Sequence, residues 1–264
     1  MNKTFDIKRF GNVLRHDAMS YLQNFGWTLV VLLAIPILIW FILYINMDDT
    51  EAVVNYERYG FLLCLAIIAM ILAPSRLYKN ANDSRKGIQF AMLPASNMEK
   101  FLSMSIYCLV VTPILYLAGA VAIDSILALI PGNNPYGGFV FGGIFDTNIV
   151  MVELLDDLDL MPLPFYQVFL LLSYVSIFMF TNMIFKRRKV SKTIGILALI
   201  GIIFMVIFIR VILNYENIYE YDTIPDDTQE VLVKCAYYGY YVFNIILTSV
   251  MLYLTYYKIR KQKY

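Results

Sequence analysis

Residues 194–213 read IGILALIGIIFMVIFIRVIL, twenty positions with a single charge, Arg210. At about 1.5 Å per residue such a helix covers about 30 Å, the thickness of a bilayer's hydrocarbon core. A helix also satisfies its own backbone N–H and C=O groups, which lipid cannot do. Five further apolar runs lie at 27–45, 59–73, 101–130, 165–185 and 231–257. The second is short, and it reaches spanning length if its helix begins at 53, giving 53–73. The composition agrees: 60% of residues are hydrophobic and 16% charged, against roughly 45–50% and about 25% in soluble domains. The expected fold is therefore all-α, a polytopic membrane protein with six transmembrane helices in one domain, 27–257.

The charges orient these spans. Segments 1–26, 74–100, 186–193 and 258–264 hold 18 of the 21 Lys and Arg residues and only four acids, Asp6, Asp17, Asp83 and Glu99. The intervening segments 46–58, 131–164 and 214–230 are acidic. Short loops rich in Lys and Arg stay in the cytoplasm, so both termini are expected there, with a basic tail at 258–264 and the plasma (inner) membrane of a prokaryote as the location. The acids of the outer segments read as solvated loop residues, and the spacing of an EF-hand calcium loop is absent. The run from residue 27 is too long for a signal peptide and lacks a small-residue cleavage pattern, so it reads as a first span.

Several functions lose support at this stage. The single histidine, His16, offers no metal cluster, and Cys64, Cys108 and Cys235 have no CxxC spacing. Neither HExxH nor GxSxG occurs, nor does a GxxxxGK[ST] phosphate loop, so no catalytic, cofactor or metal residues are assigned and nucleic acid is not an expected partner.

Two segments on the basic side carry more information. Residues 6–25 place Phe10, Val13, Leu14, Tyr21, Leu22 and Phe25 among Lys8, Arg9, Asn12, Arg15 and His16, the pattern of an amphipathic helix lying in the membrane interface. Segment 74–100 contains Pro94, which ends any preceding helix, and then Ser96 with Glu99 three residues on, a capping box that starts the third span. A short helix over 84–92 fits between them, with Ile88, Ala91 and Met92 on one side.

The run Phe90-Ala91-Met92-Leu93-Pro94-Ala95-Ser96-Asn97-Met98-Glu99-Lys100-Phe101 resembles the LLPAS…EKF segment between the second and third spans of ABC-2-type permeases, the membrane subunits of a class of ABC transporters. Leu93, Pro94, Ala95, Ser96, Glu99 and Lys100 carry the match. The resemblance implies a coupling segment that meets a separate ATPase, with the N-terminal helix beside it. Docking residues would be Arg85, Lys86, Gln89, Phe90, Leu93, Pro94, Ser96, Glu99 and Lys100, with Arg85, Lys86, Gln89 and Phe90 facing outward. It further implies export, ATP and Mg bound only by the partner ATPase, and a second copy of this chain or a related permease beside it among membrane lipids. Family members often have re-entrant helices between spans five and six, whereas 214–230 is acidic and polar. The alternatives are an independent secondary transporter or channel, and a non-transporting membrane protein of immunity or assembly.

Asp124 and Arg210 fall near the outer ends of spans three and five. Charge at that depth is costly without a partner, so an Asp124–Arg210 ion pair is one expectation and separate placement in the headgroup region is the other.

Overall fold

The computed structural model describes residues 5–46, 53, 55–79, 81, 90, 92–131, 134–140, 166–216 and 226–261. Helix α1 spans Ile7–Asn24 and α2 Gly26–Asn46; α3 spans Asn55–Leu77. The third apolar run is one long rod made of α4 (Asn97–Ile106), a π-helical turn (Tyr107–Val111) and α5 (Thr112–Ala128). Three more helices follow, α6 (Tyr166–Ile184), α7 (Lys189–Glu216) and α8 (Asp226–Lys261).

Among the described residues, five stretches are long and apolar enough to cross a membrane: Gly26–Asn46, Glu57–Leu77, Asn97–Ala128, Lys189–Ile207 and Tyr237–Lys261. The apolar part of α6, Val168–Ile184, is shorter than these. The chain is thus a largely helical, polytopic membrane protein.

Each break in the helices has a local cause. Asp6 caps α1, its carboxylate accepting from the N–H groups of Lys8 and Arg9 at 2.8 and 3.4 Å. The π turn precedes Pro113, which has no N–H to continue the ladder. There the Thr112 N–H reaches back five residues to the Tyr107 carbonyl, and the Thr112 hydroxyl donates to the same oxygen at 2.7 Å. Between α6 and α7 the chain turns through Arg188 at φ 50°, a left-handed conformation unusual for a residue with a Cβ.

The core forms around α3, which packs against α1, α2, α5, α6 and α7. Its buried face is Leu62, Leu65, Ala66, Ala69, Met70 and Ala73, and the three alanines let neighbouring backbones approach. Tyr116 and Ala120 of α5 and Val175, Met179 and Met183 of α6 complete the cluster. Gly119 of α5 sits so close to α2 that a Cβ there would lie 3.1 Å from a Leu33 methyl. Helices α6 and α8 pack together closely, and Asn244 of α8 accepts a 2.8 Å bond from Ser173 of α6. By contrast α7 exposes Ile202 to Ile207 in succession, all around its circumference.

Helix α1 is not a free interfacial helix. Val13, Tyr21 and Phe25 are buried, and α1 packs against α2, α3 and α4. It lies at one end of the bundle with the end of α3, the start of α4, the 185–188 turn and the basic last turn of α8, which carries Lys258, Arg260 and Lys261.

Candidate functional site

The basic end is organised by two buried carboxylates. The first is Glu99, fully buried in the first turn of α4. The capping box read from the sequence is present: the Ser96 hydroxyl accepts from the Glu99 N–H at 3.2 Å, and the Glu99 carboxylate accepts from the Ser96 N–H at 2.8 Å. Its other oxygen accepts from the Asp6 N–H at 2.9 Å and from the Arg9 guanidinium at 3.1 Å. One side chain therefore fixes the start of the third rod and the start of α1 together.

The second is Asp17 of α1, with 5% of its surface exposed. Its Oδ2 accepts from the Tyr78 phenol at 2.8 Å and from the Ser103 hydroxyl at 2.6 Å, and its Oδ1 lies 3.2 Å from His16 Nδ1. Burial, and then the Asp17 charge, push the Tyr78 phenol well above its ordinary value, so it remains a donor. Tyr107, in the π turn, donates to the Leu14 carbonyl at 2.9 Å. The carboxylate thus ties α1 to α4 and to the residue that follows α3.

The segment between α3 and α4 is held at both ends. Lys189 donates to the carbonyls of Tyr78 and Lys79 at 3.3 and 3.0 Å, just past the end of α3, where the Tyr78 carbonyl also accepts from the Ala81 N–H at 3.1 Å. Lys100, 2% exposed, donates to the Phe90 carbonyl at 2.7 Å, and the Phe90 ring meets Tyr78 edge-on with centroids 6.1 Å apart. Beside them His16, Ser20, Gln23, Arg76, Lys79 and Phe90 line an open cavity of about 280 Å³, with Asp17 also on its wall.

The predicted docking residues therefore divide. Arg85, Lys86 and Gln89, with most of the expected 84–92 helix, lie outside the described residues. Ser96, Glu99 and Lys100 are buried and hold the chain's own elements together, because each satisfies a backbone group that would otherwise lose its partner. Phe90 is half-buried against Tyr78 rather than facing outward. Leu93 is half-buried and Pro94 exposed. Met92, which sequence reasoning assigned only to one side of a short helix, is 78% exposed.

At the opposite end the partner of Asp124 is Arg58, not Arg210. Arg58 Nη2 lies 2.9 Å from the Asp124 carboxylate and 2.8 Å from the Gly138 carbonyl, and the guanidinium stacks 4.0 Å from the Tyr136 ring centre. Arg210 is exposed on α7. The reason is topological. Arg58 starts α3 and Asp124 ends the following rod, and helices that are consecutive in the chain lie side by side. Arg58 was one of only three cations outside the basic segments, a signal that pointed to it. Burial, with help from the Asp124 charge, pushes the Tyr136 phenol up to about 12. Asn134 completes this end, accepting from the Trp40 indole at 3.1 Å and donating to the carbonyls of Leu127 and Ile130 at the close of α5.

Among the described residues no group of three or more His, Cys, Asp or Glu side chains is placed to hold a metal ion. Of segment 214–230, whose acidic, polar sequence departs from the family's re-entrant helices, 214–216 and 226–230 are helical, and 217–225 lie outside the described residues. Comparison of the chain with protein-family models, with curated proteins and with solved structures gives no match.

Proposed function

We propose that this chain is the membrane-spanning permease subunit of an ABC exporter, with six spans, both termini in the cytoplasm of a prokaryote, and its energy supplied by a separate ATPase subunit that binds ATP and Mg. The observation that carries the reading is the anchored segment from Phe90 to Lys100. Glu99 joins it to α1 and Lys100 joins Phe90 to α4, so a push on this segment reaches the third rod with little lost motion. On that anchored frame Met92 and Met98 stand 78% and 43% exposed on the basic side of the bundle. Large apolar side chains on a rigid, water-facing element are the usual anchors of a protein contact. The π turn lies about two turns further along the rod, at the site where a push would be absorbed or passed on. The Leu93-Pro94-Ala95-Ser96 and Glu99-Lys100 resemblance adds the identity of the partner.

The test is co-purification in mild detergent, with the partner detected by photolabelling with azido-ATP. Wild type is expected to bring down a labelled ATPase, and Met92→Glu to lose it while keeping its thermal unfolding temperature. Absence of any labelled partner from wild-type preparations that retain their lipids overturns the reading.

A further inference from the structure

The cavity at the basic end is lined by side chains that recognise phosphate, and we infer that it holds the headgroup of an anionic phospholipid. Arg76 and Lys79 stand on one wall, exposed, and among the described residues neither has an acidic partner. The opposite wall is α1, which offers His16, Ser20 and Gln23 as neutral or cationic hydrogen-bonding groups. Asp17 is the acid on the wall, and its oxygens are engaged by Tyr78, Ser103 and His16. The carbonyls of Tyr78 and Lys79, which would repel an anion, are taken up by Lys189. What remains is a pocket of about 280 Å³ with two cations that no described acid pairs and several donors, a setting in which a phosphate gains charge-assisted hydrogen bonds.

The source of the phosphate follows from what borders the pocket. Around α1 beyond Gln23 come Met19 and Leu22, 61% and 68% exposed, on either side of the exposed Arg15, and Trp27 at the start of α2 is 77% exposed. A phospholipid seated with its headgroup between Arg76 and Lys79 lays its acyl chains over this apolar edge. A free phosphate leaves the edge uncovered. Basic pockets between helices at the membrane surface select anionic headgroups in this way. The inference rests on the membrane placement of the chain and not on its having an ATPase partner.

The experiment is native mass spectrometry of the full chain from mixed micelles containing either phosphatidylglycerol or phosphatidylcholine. Wild type is expected to retain one phosphatidylglycerol and no phosphatidylcholine. Arg76→Gln with Lys79→Gln removes two cations and is expected to weaken retention about thirtyfold, whereas Arg76→Lys with Lys79→Arg keeps it. Leu22→Ser with Met19→Ser is expected to weaken retention of the lipid without creating affinity for glycerol 3-phosphate. Equal retention of both lipids, retention unchanged in the double Gln variant, or displacement of the lipid by millimolar glycerol 3-phosphate overturns the assignment.

Discussion

Replacing Arg58 with methionine removes the only cation that, among the described residues, pairs with the Asp124 carboxylate, itself 2% exposed. Asp124 would keep one protein donor, the Val140 N–H at 3.3 Å, while the Gly138 carbonyl and the Tyr136 ring lose their partner. Breaking a buried pair from one side costs about 3–5 kcal/mol, since the remaining charge is left uncompensated. Asp124→Leu leaves Arg58 with Gly138 and Tyr136, and so is expected at the lower end of that range. The double variant behaves differently, because it removes both charges from a low-dielectric site. In the native protein Arg58 Nε and Nη1 are buried without a partner among the described residues, so the pair is short of full satisfaction there. Arg58→Met with Asp124→Leu is therefore expected within about 1 kcal/mol of wild type, or above it, with a coupling energy of at least about 3 kcal/mol. Equilibrium unfolding in mixed micelles, followed by the fluorescence of Trp27 and Trp40, measures all four species. Additive single and double variants would refute the pairing. So would coupling of Asp124 to Arg210→Met, which is expected to unfold like wild type.

Glu99→Ala removes the acceptor for Asp6, Arg9 and Ser96 at once and is expected to cost about 2–4 kcal/mol, with hydrogen exchange in α1 rising with that of α4. Tyr78→Phe takes one of two hydroxyl donors from Asp17 and is expected to cost about 1–2 kcal/mol by thermal unfolding, with Ser103→Ala adding less than its own effect in the Phe background. Gly119→Val drives a side chain against Leu33 and is expected to destabilise by about 1–3 kcal/mol, with partial recovery on adding Leu33→Ala. Arg188→Gly relieves the left-handed backbone between α6 and α7 and is expected to stabilise by about 0.5–1 kcal/mol; a loss of stability would mean that the Arg188 side chain has an undetected role.

Legibility differed between the two ends of the molecule because different kinds of signal govern them. Long apolar runs have no alternative to helices in lipid, so the rods could be placed from 194–213 and its counterparts alone, and the second run, 59–73, was the weakest of them because it is the shortest. The Ser96–Glu99 capping box was equally legible, since both partners lie within one helical turn. Its second role was not. Glu99 reaches Asp6 and Arg9 across 93 and 90 residues, and no local spacing encodes that.

Asp17 shows the same limit. In the sequence it is one acid in a basic segment, while in the fold it joins Tyr78 and Ser103. The amphipathic pattern of α1 was read as a face for the membrane, although much of it is buried against α2, α3 and α4, because apolar periodicity marks a face without naming what covers it. The Asp124–Arg210 expectation failed on the same ground: depth in the membrane can be counted along the chain, but lateral neighbours depend on how the rods pack. By itself the sequence determined the helical class, the approximate ends of the rods and the start of the third one, all of which follow from hydrogen bonding and transfer energies local to a helix. Only the tertiary structure decided which charges meet, Arg58 with Asp124 and Arg9 with Glu99, because ion pairing is a matter of distance in space between segments whose packing is set by side-chain fit.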